Sequence, residues 1–115
     1  AFDFSKLQIE HIMPQKWHEH WPLEDGVTAD ERDTIVHSIG NLTLISDKLN
    51  PSLSNAPWSS SSATSKRKGL EKHSKLELNR RLLAVDGPWN HTMINDRSDH
   101  LFEKAREIWP EASKN

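Results

Sequence analysis

The sequence predicts an α+β domain in which a two-stranded β-hairpin is wrapped by helices. Three observations predict it. Two short β-prone segments lie early in the chain, one within Phe2–Pro14 and one over Asn41–Ser46. Two later segments, Lys66–Val85 and Thr92–Trp109, carry apolar residues at helical spacing. Only 34% of the 115 residues are hydrophobic, which suits one modest core and a wet surface.

Within Phe2–Pro14, Leu7, Ile9 and the pair Ile12-Met13 read as a strand, ended by Pro14 because proline lacks the amide that a ladder needs. Residues 15–28 read as irregular chain pinned by Trp17 and Trp21. Thr28 or Asp30 is placed to cap a short helix running to Val36, and Gly40 breaks the chain before the second strand. Asn41–Ser46 alternates and is β-prone. Ser46-Asp47 reads as a helix start, with Pro51 limiting that helix to about one turn. The serine-rich Ser52–Ser65 reads as a loop anchored by Trp58, with mobility expected at Ser59–Ser62. In Lys66–Val85, Leu78, Leu82 and Val85 share a face, and Gly87-Pro88 ends the run. In the last helix Ile94, Leu101, Ala105 and Ile108 form the stripe and Pro110 stops it. A hairpin this small does not stand alone, so the helices must cover it.

Five tryptophans and no tyrosine point to Trp17, Trp21, Trp58, Trp89 and Trp109 as major core residues. The absence of cysteine excludes disulfides and thiolate-zinc sites, and suits a cytoplasmic protein. No apolar run is long enough to cross a membrane, so no membrane partner is expected. The first residue is Ala1, and the chain reads as a domain excised from a longer protein. The net charge of −2 hides a segregation: Lys66–Arg81 holds seven basic residues against two acidic ones. Such a stretch can face a polyanion or be a solvated helix face.

Reactive side chains fall in three patches: Glu10-His11-Ile12-Met13-Pro14, Gly40-Asn41-Leu42-Thr43-Leu44, and Asp47-Lys48-Leu49-Asn50 with Asn55. Phosphodiester hydrolysis needs an activated water and neutralisation of charge on the phosphate. A neutral imidazole takes a proton near physiological pH, and a hard cation prefers carboxylate, amide oxygen and water. Glu10, His11 and Asn50 offer these groups. Neighbours on a strand face opposite ways, so Glu10 and His11 serve one site only if the strand ends or twists there.

Glu10-His11-Ile12-Met13-Pro14-Gln15 resembles the opening motif of HNH (ββα-metal) nucleases, and Gly40–Ser46 resembles their central asparagine strand. Asn50 follows Asn41 by nine residues, where such nucleases often place a metal-binding Asn or His. The Asn-Leu-Thr-Leu string, Leu49-Asn50 and Ser54-Asn55-Ala56-Pro57 resemble the nuclease domain closing GmrSD-like type IV, modification-dependent restriction proteins. The resemblance implies an HNH ββα-metal core with additional helices, over residues 1–115 as a single nuclease domain of a larger phage-defence protein. It implies His11 as general base, Asn41 as the group orienting it through backbone, and Glu10 and Asn50 as ligands to one Mg²⁺ or Mn²⁺. Asn55 is the rival to Asn50. Cleavage of DNA would leave 5′-phosphate and 3′-hydroxyl ends, and an NTP-using sensor domain upstream would choose the target. Lys66, Arg67, Lys68 and Lys72 are the candidate phosphate contacts. Two features depart from the commoner pattern: Glu10 stands where many such enzymes have Asp, and thirty residues separate His11 from Asn41.

Two other readings fit the residues. One is a non-catalytic nucleic-acid-binding module on the same scaffold. The other is a zinc-stabilised interaction domain using His18, His20 and His37, although their spacing is not that of a helical ligand pair.

Overall fold

Strands β1 (Gln8–His11) and β2 (Leu42–Ile45) pair antiparallel, with Gln8 opposite Ile45 and His11 opposite Leu42. The computed structural model describes residues 7–46, 49–59, 65–73, 77–84 and 87–109. The expectations resting on Phe2, Asp47, Ser60–Ser62, Leu76, Val85 and Pro110, and on the side chain of Leu78, lie outside what is described. Among the described residues are five helices: α1 (Ala29–Ile35), α2 (Pro51–Ser54), α3 (Lys66–His73), α4 (Glu77–Leu83) and α5 (His91–Ile108). The domain is therefore mixed α+β, a small two-stranded sheet dressed with helices.

Local chemistry explains the helix boundaries. Thr28 caps α1 in a reciprocal capping box with Glu31, satisfying two end amides at once. Pro51 does not stop a helix, as its place in the sequence suggests; it begins α2. Asn50 is the N-cap and Pro51 the first helical residue, where a missing amide costs nothing because it would have no partner. The serine-rich region is thus not wholly loop. Lys66–Val85 is two described helices, α3 and α4, rather than one continuous run. Helix α5 starts at His91 behind the Asn90 cap.

The core gathers Ile12, Met13, Trp17, Trp21, Ile35, Val36, Ile45, Leu49, Trp58, Leu70, Leu82, Trp89 and Ile94. Four of the five tryptophans are buried, but Trp109 is 63% exposed. The expected stripe of α5 is interrupted in the same way: Ile94 is buried, Leu101 half-buried, and Ala105 and Ile108 exposed. The last turns of α5 extend beyond the elements that its first turns cover, so helical periodicity there does not translate into burial. In the chain between the strands, Arg32 is fully enclosed and ties the irregular segment together. It donates to the carbonyls of Trp21 and Pro22, pairs with Glu24 at 2.7 Å, and stacks over Trp17. A buried guanidinium requires this number of acceptors.

Residues Ile39–Asn41 form a 3-10 turn that feeds β2 and lies against α5. Gly40 makes the close approach possible. Its amide donates to Ser98 Oγ at 2.8 Å, and a Cβ added there would fall on the Ile94 carbonyl and the Ser98 backbone. Arg97 locks the same turn from α5, donating to the carbonyls of Gly40 and Leu42. Gly40→Ala is accordingly expected to destabilise the fold by about 1–3 kcal/mol, the usual cost of overpacking. A thermal melt checks this, and an unchanged midpoint would mean that the turn and α5 separate freely.

Candidate active site

The site is set by the end of β1. Because His11 is the last residue of the strand, the chain turns there, and Glu10 and His11 line one cleft of about 690 Å³. Pro14, Lys16, Asn50, Ser54 and Asn55 line it too, so residues far apart in sequence converge on the acid-His pair.

Asn41 holds this turn in place. Its side chain is fully buried, and Oδ1 accepts from the Met13 amide at 2.8 Å while Nδ2 donates back to the Met13 carbonyl at 2.8 Å. Nδ2 also donates to the Val36 carbonyl, and Oδ1 accepts from the Trp89 indole. The Ile12 amide adds a bond to the Asn41 carbonyl. One amide thereby joins the segment after His11, the end of α1 and the core. By fixing Val36 it also brings in His37, whose ring meets His11 edge to face at 5.4 Å. Burial lowers the His11 pKa below its usual value, His37 and Lys66 lower it further, and Glu10 opposes them. The imidazole is therefore neutral at physiological pH, the form that can accept a proton.

Glu10 has a partner that its sequence neighbourhood does not supply. Lys66, which the sequence puts among the surface cations, has a fully buried side chain. Its ammonium donates to Glu10 Oε2 at 2.8 Å and to the Ser54 carbonyl at 2.7 Å. Ser54 Oγ donates to the same Glu10 oxygen. Burial pushes the Lys66 pKa below the ordinary lysine range, and the bond to Glu10 pulls it back. The pair spans 56 residues of sequence, so no local pattern could signal it. Of the other basic candidates, Arg67 is half-buried and donates to the Leu83 carbonyl at 2.6 Å, whereas Lys68 and Lys72 are exposed.

Asn50 and Asn55 bracket α2. Asn50 Oδ1 accepts from the Leu53 amide and from Ser52 Oγ, and Asn55 is the C-cap. The two lone pairs of that amide oxygen are thus engaged in the cap. Glu10 uses Oε2 for its hydrogen bonds among the described residues and keeps Oε1 clear of them. A small hard cation keeps several waters and takes one or two protein oxygens. Glu10 Oε1 meets that demand directly, whereas the Asn50 oxygen in the same cleft could serve a cation only by giving up a bond of the cap.

The histidines considered for zinc do not converge. His18 stacks on Trp17 with ring centroids 3.9 Å apart, His20 faces Glu19, and His37 sits on His11. Among the described residues no group of three or more His, Cys, Asp or Glu side chains is arranged to hold a metal.

Residues 1–104 match the model of the C-terminal domain of GmrSD restriction endonucleases. The chain belongs to this family. The match takes in Glu10, His11, Asn41, Asn50 and Lys66, and it ends within α5. No curated protein and no solved structure matches the chain. Among its described residues, no helix is long and apolar enough to cross a membrane.

Proposed function

We propose that this GmrSD-family domain is a divalent-metal-dependent DNA endonuclease of the HNH type. The observation that carries the reading is the convergence of the His11 imidazole, a carboxylate from Glu10 and an amide from Asn50 on one cleft. His11 takes the proton from a water whose oxygen attacks phosphorus. The P–O3′ bond breaks, leaving a 5′-phosphate and a 3′-hydroxyl. Asn41 acts through the backbone it clamps, keeping His11 at the cleft mouth. Glu10 and Asn50 would hold one Mg²⁺ or Mn²⁺, with Asn55 as the alternative to Asn50. When bound, such a cation supplies positive charge to the phosphate and the departing oxygen. Lys68 and Lys72 are exposed cations able to meet phosphate. We place the domain, over residues 1–115, at the C-terminal end of a cytoplasmic anti-phage restriction protein. There an NTP-using sensor domain would select modified phage DNA.

One observation favours a second reading, a nucleic-acid-binding module that does not cut. The Glu10 carboxylate already has a buried ammonium as counter-ion, and the Asn50 oxygen is already engaged. The charge of Glu10 is thus met by Lys66 and needs no cation to balance it. Plasmid incubated with the protein in Mg²⁺, in Mn²⁺ and in EDTA separates the two. The nuclease reading expects nicked or linear product with either cation and none in EDTA. Intact plasmid under both cations, with DNA binding retained, would establish the binding module instead.

A further inference from the structure

A second cleft, of about 920 Å³, lies between α4 and α5 and, among the described residues, shares no lining residue with the first. We propose that it is a docking surface for the phosphodiester backbone of the DNA substrate, an assignment that rests on the nuclease reading above. Its described lining brings Arg80 and Arg81 from α4 together with Arg97 and Lys104 from α5, beside His100, and Asp96 is the one acid among those described residues. Formal cations gathered in this way repel one another and favour an anion between them. The three α5 residues recur at spacings of three and four, so they share a helix face. They span about 10 Å along the axis, the length of about three base-pair steps of duplex DNA.

The side chains divide the work. Arg81 and Lys104 are exposed, and an Arg81 terminal nitrogen lies 3.1 Å from His100 Nε2. Lys104 is paired with Glu107 only loosely, at 3.7 Å on the surface, an ion pair that a phosphate can displace. Arg97 is fixed: one terminal nitrogen is held by two backbone carbonyls, and the other, Nη2, is buried without a hydrogen-bond partner among the described residues. Met93 and Leu101, half-buried, supply apolar surface between the cations that suits a deoxyribose face. Arg97 also links the cleft to the chemistry. It binds the carbonyl of Leu42, the residue that pairs with His11, so the strand carrying His11 and the cationic cleft are braced by one hairpin.

The test is the affinity of the whole chain for a short fluorescent DNA duplex in EDTA, across a series of salt concentrations. It compares wild type with R81E/K104E, two exposed positions whose exchange should leave the thermal midpoint unchanged. The variant is expected to bind at least about tenfold more weakly. Its log–log salt slope should be shallower by about 0.9 for each phosphate that the protein no longer neutralises. Affinity within about twofold of wild type and an unaltered slope would overturn the assignment, leaving the cleft to an acidic protein segment. Wild-type protein with no affinity for the duplex would overturn it together with the nuclease reading. The two failures are thereby distinguishable.

Discussion

His11→Ala is expected to lower metal-supported DNA cleavage by roughly 10²–10⁴-fold, the contribution of a positioned general base. The melting midpoint should stay close to that of wild type. His11 ends β1 beside an open cleft, and the bonds that hold its segment run through the backbone of Ile12 and Met13, not through the imidazole. The loss should appear in kcat at saturating DNA, since the proposed phosphate contacts lie on other residues. Cleavage that survives at the wild-type rate would remove His11 as the base. The neighbouring His37, whose ring touches it, would then be the next residue to test.

The pH dependence of the same reaction has a defined sign. A general base works in its neutral form. Desolvation, then His37 and Lys66, lower the His11 pKa below 6.5, and Glu10 offsets part of this. A lowered pKa means that the neutral imidazole persists into mildly acidic solution. Turnover should therefore hold on going down through pH 6.5 and fall only below it, with protonation of the ring. A His37→Ala variant loses one of the influences lowering that pKa, so its acid limb should move toward higher pH.

The legible part of this fold is the part written in local chemistry. Pro14, Thr28 with Glu31, and the alternating Asn41–Ser46 segment mark turn, cap and strand through residues near one another in sequence. The family motif draws Glu10, His11, Asn41 and Asn50 out of the chain, and Glu10, His11 and Asn50 line one cleft. Choices made by tertiary packing leave no such mark. Lys66 has the composition of a surface cation, and only the approach of α3 to β1 turns it into the buried counter-ion of Glu10. Arg80 and Arg81 read as part of one basic stretch with Lys66, yet the structure separates them and groups the arginines with α5. Trp109 carries a core-type side chain on a helical turn that leaves it exposed. Asn79 offers no motif, but it is buried, accepts from Thr43 Oγ1 and donates to the Leu44 carbonyl, tying α4 to β2.

Asn41→Ala should be the most damaging single change to the fold. Truncation strands the amide and carbonyl of Met13, the carbonyl of Val36 and the indole N–H of Trp89, all of which now bond to one buried side chain. A buried polar group left unsatisfied costs about 1–3 kcal/mol, and relaxation or water recovers part of the total. A net loss of about 3–5 kcal/mol is expected, a large share of the stability of a small domain. Asn41→Asp distinguishes hydrogen bonding from volume. The carboxylate keeps the acceptor side toward Met13 and Trp89, but it turns a second oxygen toward the two carbonyls that Nδ2 now serves. Asp should thus be no better tolerated than Ala, although it is nearly isosteric with Asn. Chemical denaturation of both variants checks this, and a loss under about 1 kcal/mol in Asn41→Ala would show that the clamp is dispensable. Activity should fall in parallel, because the same amide sets the backbone that carries His11. In His11→Ala, by contrast, catalysis is lost from a domain that stays folded. The two variants together therefore separate the residue that moves the proton from the residue that holds it in position.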